Sequence, residues 1–205
     1  LLLISCGGGG AKEGLADDYL CDLPSKSVEE EIVLKALGGE KARTTIFAQP
    51  SDLVARMEGR LGELASSEDA TGTDVCLFQT PLMSGSKASV RISFQWAAPE
   101  KGKAAGRPLR DANRYVVNGL PAEANEGDVK LSFSCVMPGE KRAASRQAQL
   151  VGWVSLTGGP RKGPQREWDV QHVTLSYLMA QRTVEALGCE KKPLQGEPVV
   201  KPVGE

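Results

Sequence analysis

Histidine occurs once in this 205-residue chain, asparagine three times and isoleucine four times, and aromatic side chains make up only 5% of it. With His172 as the single imidazole, any Ser-His-Asp or Cys-His mechanism would have to use that residue. It stands beside Val173 near the start of an apolar helical pattern, where a surface or local capping role is expected. The chain has no Gly-x-Ser-x-Gly elbow and no glycine loop leading into Lys-Ser or Lys-Thr. It has no Cys-x-x-Cys, and His172 is far from every cysteine in sequence, so neither a metal site nor a cofactor is expected. Net charge is only -1, which leaves no bulk field to recruit nucleic acid. No internal apolar run reaches the roughly 18 residues that a spanning helix requires. No catalytic residue is assigned on these grounds.

What remains is the composition of an ordinary domain, 40% hydrophobic and 25% charged, with enough chain for one good core. The beginning is unusual. Leu1-Leu2-Leu3-Ile4-Ser5 is apolar and ends in a small residue, Cys6 follows, and then Gly7-Gly8-Gly9-Gly10. Leu3-Ile4-Ser5-Cys6 resembles the bacterial lipobox, in which the thiol is alkylated by a diacylglycerol and a peptidase cuts before the cysteine. That resemblance implies lipidation at Cys6, with residues 1–5 as the end of a signal peptide. Two or three acyl chains hold stably, because each buried methylene contributes about 0.8 kcal/mol and one chain alone is marginal. Residues 6–20 then form a flexible tether, and from Cys6 to Cys21 it reaches at most about 50 Å.

Lipidation of Cys6 leaves Cys21, Cys76, Cys135 and Cys189, an even number suited to an oxidising compartment, with three possible disulfide connectivities. We prefer Cys21–Cys76 and Cys135–Cys189. Each pair joins a strand cysteine to one flanking a helix, and the separations are 55 and 54 residues. Ser27-Val28-Glu29-Glu30 reads as a capping box opening a helix that Gly38-Gly39 stops. Ser51-Asp52 opens a second helix, with Leu53, Met57, Leu61 and Leu64 in register. Strict alternation through Val90, Ile92, Phe94 and Trp96, and again through Val129, Leu131, Phe133 and Cys135, predicts half-buried strands. Val173, Tyr177, Ala180, Val184 and Leu187 predict a long closing helix. The expected fold class is α+β: an antiparallel sheet with helices packed on one face and two disulfides, in a single domain over residues 21–192. Residues 193–205 are polar and proline-bearing and are expected to be disordered.

Candidate binding features are modest. Lys101, Lys103, Arg107 and Arg110, then Lys141, Arg142 and Arg146, then Arg161, Lys162 and Arg166 form three basic loops. They are expected to be solvated, with contact to lipid phosphates or anionic wall polymers as the functional alternative. Trp96, Trp153 and Trp168 would suit a ligand pocket if they converged, although Trp96 is in phase with its strand's core face. The chain as a whole resembles small lipoproteins of actinobacteria, through the lipobox, Cys21-Asp22-Leu23 before the first helix, Phe133-Ser134-Cys135 and Ala186-Leu187-Gly188-Cys189. The resemblance implies secretion, anchoring and two disulfides, and it carries over no active-site residue. A basic stretch at residues 99–112 stands outside that pattern. The functional expectation is a non-catalytic binding module at the outer face of a membrane. Its partners would be the membrane through the lipid on Cys6, with an envelope protein, wall polymer or lipid as ligand. The alternative is an envelope hydrolase using a carboxylate pair.

Overall fold

The computed structural model describes residues 20–39, 41–64, 70–83, 85, 87–99, 105–160, 163–190 and 193–204. Cys6 and the glycine run lie outside the described residues. In chain order the elements are α1 (Val28–Ala36), β1 (Arg43–Phe47), α2 (Pro50–Glu63), β2 (Thr73–Gln79), β3 (Ser89–Ala97), β4 (Asn113–Val117) and β5 (Leu120–Ala124). Then follow β6 (Asp128–Phe133), a 3-10 turn (Gly139–Lys141), α3 (Arg142–Arg146), β7 (Gln149–Thr157), α4 (Gln165–Ala186) and β8 (Val200–Pro202). All neighbouring strands are antiparallel, in the order β1-β2-β3-β7-β6-β5-β4-β8. The expected α+β fold is therefore what forms.

Local chemistry explains the boundaries. Ser27 caps α1 by accepting the Glu30 amide at 3.1 Å, while the Glu30 carboxylate accepts the Lys26 amide at 2.6 Å. The capping box thus closes one residue earlier than its usual form. Gly38 and Gly39, at φ of 90° and 82°, turn the chain out of the helix. α2 opens at Pro50, one residue before the expected Ser51-Asp52, because proline's fixed φ suits a first helical position. Asn118 and Gly119 adopt φ of 48° and 85° and join β4 to β5 by the two-residue turn that matches strand twist.

Period-two alternation sends Val90, Ile92, Phe94 and Trp96 to the face that α1, α2 and α4 cover. Trp96 is wholly buried there, its indole Nε1 donating to the Met57 carbonyl of α2 at 2.9 Å. Val173, Tyr177, Ala180, Val184 and Leu187 of the closing helical stripe are all buried against the same core. Gly152 stands opposite Phe94 on this face, and a Cβ there would lie 2.8 Å from the phenyl Cε1. Gly152→Ala is expected to lower unfolding free energy by about 2 kcal/mol through overpacking, readable in a urea melt. An unchanged midpoint would show that the Phe94 ring yields freely.

Both preferred disulfides are formed, Cys21–Cys76 and Cys135–Cys189, with Cα separations of 5.6 and 5.1 Å. The first ties the segment ahead of α1 to β2. The second ties the exit of β6 to the end of α4, where Val136 bridges Glu190.

The expectation of disorder over residues 193–205 is overturned for the described part, residues 193–204. Val200–Pro202 pairs with β4 as an edge strand, and Leu194 is buried. Asn118 clamps the approach: its Oδ1 accepts the Val199 amide at 2.8 Å, and its Nδ2 donates to the Glu197 carbonyl at 3.0 Å. Composition misled because these bonds use the backbone of the tail, which polar side chains and an edge proline leave available.

Of the stretch at residues 99–112, the described part from Ala105 onward also finds its place. β3 and β4 run in the same direction, separated in the sheet by β7, β6 and β5. The chain must therefore cross a face of the sheet, and it takes the one away from the helices. Ala105 is buried there with Ala97 and Val151, and Trp153 packs against them.

Candidate functional site

Two hollows open beside the β1 edge of the sheet. The larger, about 440 Å³, lies where α1 leans over β1 and is lined by Asp22, Leu23, Glu30, Val33, Lys41, Thr44 and Phe78 among others. Its lining joins apolar side chains of α1 and the Phe78 ring to the two carboxylates and Lys41. Lys41 has no hydrogen-bond or ion-pair partner among the described residues. Glu30 is committed through Oε2 to the Lys26 amide, which leaves it less able to act on a ligand. The smaller hollow, about 300 Å³, sits at the base of the β2–β3 hairpin and is lined by Arg43, Gln79, Thr80, Leu82 and Lys87 with their neighbours.

Two further polar clusters are buried, and both were invisible to pattern reading. Asp169 is fully buried in the first turns of α4. Its Oδ2 accepts from Asn113 Nδ2 and Tyr115 Oη, both at 2.8 Å, and its Oδ1 from Gln165 Nε2 at 2.6 Å. Only the Gln165 to Asp169 spacing, one helical turn, could have been found in sequence. On the opposite face of the sheet, Lys130 is also fully buried. Its ammonium pairs with Glu123 at 3.1 Å and donates to the Arg107 and Gly106 carbonyls at 3.0 and 3.3 Å. The Leu109 amide completes the cluster by donating to Glu123 Oε2 at 3.0 Å. Both clusters bind parts of the fold to one another. Asp169 fixes α4 to β4, and Lys130 fixes the crossing segment to β6.

The candidates read from sequence separate rather than converge. Cys21, Cys76, Cys135 and Cys189 are all spent in disulfides. His172 is buried, not on the surface as expected, with its ring centroid 5.4 Å from that of Trp168 on α4. Apolar periodicity could not show this, because His172 lies on a part of α4 that is buried yet polar, with Asp169, Ser176 and Thr183. Trp96 and Trp153 lie on opposite faces of the sheet, and Trp168 on α4, under Lys35, whose ammonium is 5.1 Å from its ring. They form no common pocket.

The basic loops separate likewise. Lys141, Arg142 and Arg146 follow β6 at the end of the sheet where β3 stops, and Arg142 pairs with Glu190 at 2.9 Å. Arg166 begins α4 at the other end. Arg107 and Arg110 lie on the crossing segment, while Lys101, Lys103, Arg161 and Lys162 fall outside the described residues. Glu63, at the end of α2, is held below the ordinary carboxylate range by hydrogen bonds from Arg60 and the Thr71 amide, but it lines neither hollow.

Among the described residues, no three of His, Cys, Asp and Glu are grouped to hold a metal ion, and no helix is long and apolar enough to cross a membrane. Compared with known proteins, the chain matches no family model, no curated protein and no solved structure.

Proposed function

We propose that this chain is an exported envelope protein, anchored by lipid on Cys6 to the outer face of a membrane, where its domain binds a partner without catalysis. The observation that supports export is the pairing of the other four cysteines with each other. Disulfides of this kind persist in oxidising compartments, and the pairing leaves Cys6 as the odd thiol, at the place where the sequence resembles a lipobox. Binding is favoured over hydrolysis by the hollow beside α1. Asp22 and Glu30 both line it, yet one of the two carboxylates is already engaged as a helix cap.

The test uses the full chain behind a working signal peptide, fed a labelled fatty acid and fractionated after a high-salt wash. The parent is expected to carry label and stay with the membrane. Cys6→Ser is expected to lose the label and to fall in membrane retention by about 100-fold or more. A Cys6→Ser variant retained as firmly as its parent would refute the anchor.

A further inference from the structure

The most exposed large apolar side chains of the described residues sit next to each other at one hairpin tip: Leu82 is 79% exposed and Met83 97%. The hairpin that carries them is firmly closed. Beyond the last β2–β3 pair, Gln79 with Ser89, the Thr80 amide donates to the Ala88 carbonyl at 3.1 Å and the Ala88 amide to Thr80 Oγ1 at 3.3 Å. Gly158, at φ of 66°, lets the following loop press its backbone against the Lys87 carbonyl, and Gly159 does the same against Ala36 of α1. A Cβ at either position would collide with that carbonyl. The tip is thus an apolar projection on a braced base. Arg43 and Lys87 flank it, both lining the smaller hollow with Leu82, and among the described residues no carboxylate lines that hollow. Neither cation has a hydrogen-bond or ion-pair partner among the described residues.

Two adjacent apolar side chains exposed beside cations that have no ion-pair partner among the described residues match a bilayer surface, where aliphatic groups enter below the headgroups and cations meet lipid phosphates. We infer that the β2–β3 hairpin tip is a second membrane contact, seating Leu82 and Met83 in an anionic bilayer with Arg43 and Lys87 on its phosphates. The inference rests on the proposed outer-face location, and it adds an orientation to it. The end of the sheet bearing this hairpin faces the lipid, while the opposite end, with the 3-10 turn and α3, points away.

The experiment takes the full chain as Cys6→Ser, so that docking is read without the acyl anchor and the two proposals can fail separately. Co-sedimentation is measured with phosphatidylcholine vesicles, with and without phosphatidylglycerol. Binding is expected with the anionic vesicles, weakened at least about tenfold by Leu82→Ser with Met83→Ser. Arg43→Gln with Lys87→Gln is expected to weaken it about tenfold at low salt and to flatten its salt dependence. Inorganic phosphate in excess is expected not to compete. All four side chains are exposed or line an open hollow, so thermal midpoints should hold. In the same background, Met83→Cys carrying an environment-sensitive dye should shift to the blue on anionic vesicles alone. An unshifted dye, or binding untouched by the Leu82 and Met83 changes, overturns the proposal. So does a concentration-dependent dimer lost in that variant without any vesicle binding, which would assign the tip to a second copy.

Discussion

Replacing Cys135 and Cys189 together by alanine is expected to lower the melting temperature by roughly 8–16 °C. The bond closes a loop of 54 residues. In the chain-entropy account, a loop of that size stabilises the fold by about 4 kcal/mol, because the unfolded ensemble loses the freedom to separate its ends. For a domain of this size each kcal/mol moves the midpoint by about 2–4 °C, which gives the stated range. The loop spans α3, β7 and all of α4, so the bond holds the end of the closing helix to the exit of β6. Calorimetry of the double variant against its parent, both oxidised, reads the effect. A shift under about 2 °C would mean that the unfolded chain is already compact between these positions.

Glu123→Leu is expected to cost about 3–5 kcal/mol, and adding Lys130→Met to it should restore much of the loss. Lys130 is fully buried and Glu123 only 12% exposed, so removing the carboxylate takes from a buried ammonium the counter-charge it has among the described residues, whose other described partners are the Gly106 and Arg107 carbonyls. Removing both charges deletes the desolvation penalty along with the attraction, which is why the pair of changes is gentler than one. Lys130→Met alone has a different signature. It frees the Gly106 and Arg107 carbonyls, so the crossing segment should become the first site of proteolytic nicking. Urea melts of the three variants form a double-mutant cycle. Additive losses would show that the two side chains do not act together.

The pairing of strand with helix-flanking cysteine was legible because alternation in 129–135 placed Cys135 inward, and the closing stripe ended at Leu187 beside Cys189. The same alternation also placed Lys130 on the outer face, which was right, and implied that it would be solvated, which was not. Burial there depends on where the β3–β4 connection crosses, a choice made by strand order rather than by any residue of β6. β5 went unseen for a local reason: Leu120-Pro121-Ala122-Glu123-Ala124 has weak strand propensity, and it pairs because the Asn118-Gly119 turn folds it onto β4. The exposed Leu82 and Met83 gave no periodic signal, since a loop tip has no face to be in or out of phase with. Sequence pointed to Cys6 as a candidate attachment, while the orientation proposed for the domain comes only from the fold.

The crossing segment divides the molecule in a way that strand pairing alone conceals. Everything before it supplies α1, α2 and β1 to β3, and everything after it supplies β4 to β8 with α4. Each disulfide is confined to its own side, and within the sheet the sides meet at the nine paired residues between β3 and β7. A chain opened at this segment would therefore break no disulfide and no strand. Its two pieces would each keep their cross-link and could reassemble along one antiparallel seam, as a split protein whose halves report on each other's presence.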